Sequence, residues 1–132
     1  ASEATSTLNP ASDDDVVVNT PTDYGNSYPV GQCTWGVKEL APWASNWWGN
    51  ANTWAIYASA QGYRVGDVPV VGAIAVWDGG EYGHVAYVTD VQSENSIQVL
   101  EANYRRQKQI ANYRGFFNPH EFLGKVTYIY PN

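Results

Sequence analysis

Cysteine, methionine and histidine are scarce in this sequence, and their scarcity excludes several kinds of site. The 132 residues contain one Cys, two His and no Met. A single cysteine cannot form a disulfide within the chain, and it cannot build a zinc site of the multi-cysteine kind. Two histidines leave little for a histidine-rich metal centre. We therefore expect a free thiol, and a site that needs no metal or cofactor.

Basic residues and long apolar runs are also in short supply. Seven Lys and Arg stand against 13 Asp and Glu, which gives a net charge of −6. Five of the acidic residues and none of the basic ones lie in residues 1–23, so the rest of the chain is close to neutral. Nucleic-acid binding requires a basic face that neutralises phosphates, so we expect no nucleic-acid partner. No stretch approaches the roughly 20 apolar residues of a membrane span, so we expect no membrane insertion.

The N-terminal part of the chain has the composition of a linker. Residues 1–27 are rich in Ser, Thr, Asn, Asp and Pro and have no periodic apolar pattern, which predicts a linker or disordered tail. The three valines at 16–18 could form a short edge segment. Residues 1–20 lack the basic start and apolar run of a signal peptide. Because the sequence starts at Ala1 and contains no Met, we interpret it as a processed product or an excised piece.

Apolar and aromatic residues are plentiful, at 44% and 14%, which is enough for one core but not for two domains. We place the ordered domain at 28–132. Turn residues and apolar patterns predict two helices, at 33–41 before Pro42 and at 51–61 before Gly62. Short β-branched and aromatic runs predict strands at 73–77, 84–91, 96–104 and 126–130, with 111–117 as a further candidate. This order predicts an α+β fold, with N-terminal helices packed on an antiparallel meander of five to six strands.

Several polar residues stand at positions that packing alone does not explain. His84 begins a strand and shares its apolar face, while Glu101 and Asn103 continue the buried row of the next strand, where a carboxylate needs a partner. Cys33 opens a helix, and a helix N-terminus and an imidazolium both favour a thiolate. The backbone N–H groups there and the Gln32 amide could stabilise an oxyanion. Structural explanations stay open: a buried apolar thiol, a histidine satisfied by the backbone and a solvated edge carboxylate.

These residues fall in four ordered motifs that resemble the CHAP domain, the cysteine, histidine-dependent amidohydrolase/peptidase family. The motifs are GQCTW, GAIAVW, GHVAYV and LEAN, and the resemblance runs from about residue 28 to residue 130. It implies a papain-like α+β fold and hydrolysis of amide bonds in bacterial peptidoglycan. It also implies roles for four residues: Cys33 as nucleophile, His84 as general base, Glu101 as the group that orients the imidazole, and Asn103 as the fourth polar residue of the site.

The resemblance is strongest to the C-terminal domains of secreted streptococcal cell-division proteins. It implies a secreted or cell-wall-associated bacterial protein that acts on peptidoglycan in daughter-cell separation, with residues 1–27 as the linker to an upstream coiled-coil domain. It favours endopeptidase cleavage of stem or cross-bridge peptides, with an N-acetylmuramoyl-L-alanine amidase as the alternative. A non-catalytic wall-binding module or an adhesin-like interaction protein would belong to other classes. A wall-binding module has no use for Cys, His, Glu and Asn in this order. An adhesin-like protein would need a self-complementary aromatic surface, which nothing in the sequence requires.

Aromatic residues beside the motifs are candidates for substrate contacts. Trp77, Tyr82 and Tyr104 adjoin the catalytic motifs and could form the walls of a shallow groove, although a core or turn role is open for each. The basic run at 105–108 could meet carboxylates of a peptide, but a solvated surface is the simpler interpretation. His120 follows Asn-Pro in a loop without apolar periodicity, so we predict a surface histidine there.

Overall fold

The computed structural model describes residues 25–132, and the predicted edge segment at 16–18 lies outside the described residues. Helix α1 covers Cys33–Leu40, and helix α2 covers Trp54–Ala60 after a 3₁₀ turn at Ala51–Thr53. The strands are β1 at Val65–Gly66, β2 at Ile74–Trp77, β3 at His84–Ser93, β4 at Ser96–Leu100 and β5 at Val126–Ile129, and a 3₁₀ turn at Pro119–Glu121 precedes the last of them.

Both helices end where local sequence signals predict. Helix α1 stops at Leu40, two residues before Pro42, because the residue before a proline is driven out of the helical region. Helix α2 stops at Ala60, and Gly62 follows with φ 98°, a left-handed conformation that glycine adopts without a steric penalty.

The five strands form one antiparallel sheet in the order β1-β5-β2-β3-β4. This confirms the predicted α+β architecture. Strands β2, β3 and β4 follow one another as a meander, but β5 returns to the free side of β2, where Val126 pairs with Trp77. The prediction of a single meander is therefore wrong for the last strand.

Two predicted strands differ from the observed ones. Strand β4 ends at Leu100 rather than at residue 104, because the chain turns beyond it and Asn103 has φ 59°, which no strand accommodates. Segment 111–117 is not a strand, since only the isolated bridges Glu101–Ala111 and Ile97–Phe117 join it to the sheet. The two-residue β1 is too short to carry a recognisable pattern.

The sheet is covered on both faces, and alternate residues of β2 belong to different apolar clusters. Ile74 and Val76 pack under the two helices, whereas Trp77 packs on the opposite face with residues of β3, β4 and β5. Helix α1 lies close to the chain after β4, because Gly36 has no side chain: a Cβ atom there would be 2.9 Å from the Cβ of Ala102. None of the helices in residues 25–132 is long and apolar enough to span a bilayer.

Candidate active site

A buried ion pair lies where β3 begins and β4 ends. His84 is the first residue of β3, and Glu101 directly follows Leu100 at the end of β4. The Nε2 atom of His84 is 2.9 Å from Oε1 of Glu101. His84 is 6% exposed and Glu101 is fully buried, so water does not weaken their interaction.

Cys33 is the third member of this site, and it comes from helix α1 rather than from the sheet. It is the first residue of α1, is 8% exposed, and packs with the cluster beneath the helices. The thiol of Cys33 lies close enough to the imidazole of His84 to raise its pKa through hydrogen bonding and charge. Because Glu101 occupies Nε2, the ring nitrogen left for the sulfur is Nδ1. The structure therefore brings three of the predicted site residues, Cys33, His84 and Glu101, into one connected line.

The two ionisable partners shift each other's charge state. Burial alone lowers the pKa of His84, but hydrogen bonds and negative charge from Cys33 and Glu101 outweigh it and raise that pKa from 6.5 to about 9. Burial alone raises the pKa of Glu101, but hydrogen bonds from Arg114 and His84 hold it below its usual 4.5. At neutral pH the line therefore contains an imidazolium flanked by a carboxylate and by the sulfur of Cys33.

Arg114 is a member of this site that sequence reasoning did not identify. Its Nε donates to Oε2 of Glu101 at 2.9 Å, and its Nη2 donates to Oε1 at 2.6 Å. The need for a partner was visible in the sequence, because a carboxylate on a buried row requires one. Which of the seven basic residues supplies it depends on how the loop after β4 folds back.

Donors for an oxyanion lie beside the sulfur. The amide of Cys33 has no carbonyl partner within α1, because it belongs to the first helical turn. The backbone N–H of Gln32 donates to the carbonyl of Pro29 at 3.1 Å, so it is not available to a substrate. The side-chain amide of Gln32 remains: its Oε1 accepts a hydrogen bond from Asn103, and its Nε2 has no partner among residues 25–132.

Asn103 lies in the site but does not contact the histidine. Its Nδ2 donates to Gln32 at 3.2 Å, and its Oδ1 accepts from Nζ of Lys108 at 3.0 Å. These bonds place its side chain on the oxyanion side of the site, beside Gln32. Its contacts orient an amide donor rather than the imidazole.

An open groove of about 1140 Å³ runs over these residues. Tyr82, which is 59% exposed, and Tyr104 both line it, and their contact with substrate stays a prediction. The prediction for Trp77 is wrong, because its side chain is fully buried. The indole Nε1 of Trp77 donates to the carbonyl of Pro119 at 2.8 Å, and its ring lies 5.8 Å from the ring of His84, so it supports the histidine from behind.

The remaining predictions concern the second histidine and metal ions. His120 is exposed within the turn Pro119–Glu121, and it does not line the groove. Among residues 25–132, no three His, Cys, Asp or Glu side chains are grouped so that they could hold a metal ion.

Comparison with protein families settles the classification. The family model described as the CHAP domain matches residues 23–103 of this chain. The chain belongs to the CHAP domain family. The matched range contains α1, β2, β3 and β4, and therefore Cys33, His84 and Glu101, whereas Arg114 lies beyond it.

Curated relatives of this CHAP domain include proteins of streptococci and staphylococci. A protein of Streptococcus mutans serotype c, named only as a hydrolase, is 59% identical over 109 residues, covering 81% of this chain and 52% of that protein. The N-acetylmuramoyl-L-alanine amidase sle1 of Staphylococcus haemolyticus is 43% identical over 96 residues, covering 70% of this chain and 29% of the amidase. The chain therefore spans about half of the first relative and less than a third of the second.

Solved structures show the same fold. The crystal structure of an N-acetylmuramoyl-L-alanine amidase from Staphylococcus aureus superposes with a TM-score of 0.65 at 30% identity, covering 77% of this chain and 30% of that one. A second structure, Ly7917, superposes with a TM-score of 0.58 at 20% identity, covers 76% of this chain and 53% of that one, and shows the fold alone.

Proposed function

We propose that this chain is a peptidoglycan hydrolase that cleaves amide bonds with Cys33 as the nucleophile. The observation that carries the proposal is the line of Cys33, His84 and Glu101 at an open groove. A thiol, an imidazole in contact with it and a carboxylate that orients the imidazole are the parts that nucleophilic acyl transfer requires. Membership of the CHAP domain family and the names of the staphylococcal amidases support the same chemistry.

The geometry supports a two-step reaction. The sulfur of Cys33 attacks the carbonyl carbon of the substrate amide, and the carbonyl oxygen takes the negative charge. The C–N bond then breaks, and Nδ1 of His84 gives its proton to the leaving amine. In the second step His84 takes a proton from water, the resulting hydroxide attacks the thioester, and the carboxylic acid leaves as Cys33 is released.

The two anionic transition states require hydrogen-bond donors next to the sulfur. The amide of Cys33 and Nε2 of Gln32 are the donors that we assign to this role. Asn103 supports the second donor, because its bond to Oε1 of Gln32 turns Nε2 of that side chain away from Asn103. Asn103 thus has an orienting role in the proposed mechanism.

The groove suits a flexible polar peptide better than a compact ligand. It is an open groove that Tyr82 and Tyr104 line together with Cys33 and His84, and phenol rings offer both apolar faces and hydroxyl groups. Stem and cross-bridge peptides of peptidoglycan have this character. A module that only held glycan would gain nothing from a buried ion pair, which is costly to build.

Two bonds are candidates for cleavage. The resemblance to streptococcal cell-division proteins favours an endopeptidase that cuts stem or cross-bridge peptides. The names of the staphylococcal relatives favour the amide between the lactyl group of muramic acid and L-Ala. A role in daughter-cell separation and a location outside the cell extend the same proposal. The location is supported by the staphylococcal secretory antigen SsaA, 44% identical over 76% of this chain and 39% of its own length.

Mass spectrometry of fragments released from purified walls tests the proposal. An endopeptidase releases new peptide termini within stems or bridges, whereas an amidase releases intact stems that begin with L-Ala and leaves sugars with a free lactyl carboxylate. Cys33→Ala should abolish release while the far-UV circular dichroism stays unchanged. Full activity of a folded Cys33→Ala variant would remove the cysteine from the mechanism.

A further inference from the structure

Arg114 holds the carboxylate of Glu101 at both oxygens. Its Nε donates to Oε2 at 2.9 Å and its Nη2 donates to Oε1 at 2.6 Å, while Oε1 also receives Nε2 of His84 at 2.9 Å. A carboxylate bound at both oxygens by a planar guanidinium cannot rotate about its terminal bond. The direction of the bond from Glu101 to His84 is therefore set by Arg114.

A cage of aromatic rings encloses the guanidinium. Its carbon lies 4.0 Å from the ring centre of Phe117, 4.1 Å from that of Phe122 and 4.2 Å from that of Tyr104. The Arg114 side chain is only 8% exposed, so these rings and Glu101 replace most of its water. The ring of Phe122 also lies 5.6 Å from the imidazole of His84, so the cage is shared by both cations.

The backbone around Arg114 is fastened to the sheet on both sides. Ala111 and Glu101 exchange two backbone hydrogen bonds of 3.0 Å, and Phe117 and Ile97 exchange bonds of 3.0 and 2.9 Å. Arg114 lies at the middle of the segment between these two bridges. The segment is therefore a short loop, fixed at each end, that carries the guanidinium to the carboxylate.

We propose that Arg114 is a positioning residue of the active site, which fixes the Glu101 carboxylate so that Glu101 holds the His84 ring in line with Cys33. This inference rests on the proposed function. The charges alternate along the line from guanidinium to carboxylate to imidazolium, and the sulfur of Cys33 lies at its end. Without Arg114, the fully buried Glu101 would lose its main source of positive charge and would be driven towards its neutral form, which cannot stabilise an imidazolium.

The test compares Arg114→Lys and Arg114→Met with Arg64→Met in the full chain. Arg64 is the matched control, because its guanidinium also lies over an aromatic ring, that of Tyr130 at 5.2 Å, but is exposed and does not line the groove. Two measurements are made on each variant: the NMR titration of the two histidines, and kcat and KM on purified wall fragments. His120, which is exposed, serves as an internal reference in every titration.

We expect the titration midpoint of His84 to move away from its wild-type value in Arg114→Met, because both a nearby cation and the hold on the Glu101 carboxylate are lost, with His120 unchanged. We expect kcat to fall by on the order of 100-fold with little change in KM, because misplacement of a catalytic group by about 1 Å has that cost. The kcat and the His84 midpoint of Arg114→Lys should lie between those of wild type and Arg114→Met. An ammonium keeps the positive charge but cannot donate to both oxygens of Glu101 as the planar guanidinium does. Arg64→Met should behave as wild type.

A folded Arg114→Met variant with an unchanged His84 midpoint would overturn the inference. If Arg114→Met does not fold, Arg114→Lys provides the test. A wild-type kcat and a wild-type His84 midpoint in that variant would show that the two hydrogen bonds from the guanidinium to Glu101 are not needed, and would overturn the inference. If wild type itself releases nothing from walls, the proposed function fails. The His84 titration would still show whether Arg114 affects the interaction of Glu101 with His84.

Discussion

Replacement of Glu101 by glutamine tests the buried charge network most directly. Glu101→Gln keeps the shape of the side chain and removes one negative charge. Glutamine has a single oxygen acceptor, whereas the Glu101 carboxylate accepts three hydrogen bonds from Arg114 and His84. At least one N–H of the two cations must then face the N–H₂ group of the new amide, which is a contact between two donors.

The magnitude follows from burial. Glu101 is fully buried and the Arg114 side chain is 8% exposed, so the substitution leaves a largely buried cation without its counter-ion. Breaking a buried pair in this way costs about 3–5 kcal/mol. The total stability of a domain is about 5–15 kcal/mol, so the loss is a large share of it.

Urea unfolding of wild type and variant at neutral pH measures the loss. Glu39→Gln is the matched control: Glu39 is half-buried, and its carboxylate accepts a hydrogen bond from Nδ2 of Asn26 at 2.9 Å. We expect the control to lose about 1 kcal/mol. The double variant Glu101→Gln/Arg114→Met should be no less stable than Glu101→Gln alone, because the second change removes the unpaired cation. Equal losses of stability for Glu101→Gln and Glu39→Gln would refute the reasoning.

The activity of Glu101→Gln gives a second test. Wall hydrolysis by this variant should fall more than its wall binding, and equal losses would make Glu101 purely structural.

Three further outcomes follow from the same contacts. His120→Ala should hydrolyse walls at nearly the wild-type rate, because that imidazole lies outside the groove, and an inactive variant would make His120 the base. The pKa of His84 is raised from 6.5 to about 9, so its stabilisation is complete below about pH 6.5 and is lost as the pH rises through about 9. The free energy of unfolding should therefore fall over that interval in wild type and less so in His84→Gln. Gly83→Ala should lower the melting temperature, because Gly83 has φ 74° and a Cβ there would lie 2.6 Å from the carbonyl oxygen of Trp77.

Elements with local causes could be predicted from the sequence. Proline and glycine end the two helices, and the two-residue period of β3 and β4 places His84 and Glu101 on the same buried face. Because β3 and β4 are antiparallel neighbours, the start of one lies beside the end of the other. The contact between the two side chains therefore follows from alternation and strand order together.

Elements that depend on distant parts of the chain could not be predicted in this way. Strand β5 pairs with β2 across about fifty residues of intervening chain, and nothing in its own pattern indicates which side it joins. Trp77 stands next to a glycine-rich turn, which favours an exposed aromatic residue. Its indole is buried because Pro119, 42 residues away, provides the acceptor for Nε1. Burial of an indole at such a position depends on a hydrogen-bond acceptor for its N–H group, and the neighbouring sequence does not show which distant residue supplies that acceptor.

Arg114 lies between these two cases. The buried Glu101 demands a cation, and of the seven basic residues five lie beyond residue 104, so electrostatics alone narrows the choice but does not make it. A cation that is removed from water needs aromatic faces or hydrogen-bond acceptors in place of the lost water. Arg114 lies in the segment YRGFF, next to Tyr113 and close to Phe117. Arg105 and Arg106 lie in the polar run YRRQKQ and are exposed. A buried carboxylate therefore predicts a buried cation beside it, but the choice of Arg114 depends on the fold of the loop after β4, which brings Tyr104 and Phe122 to the guanidinium.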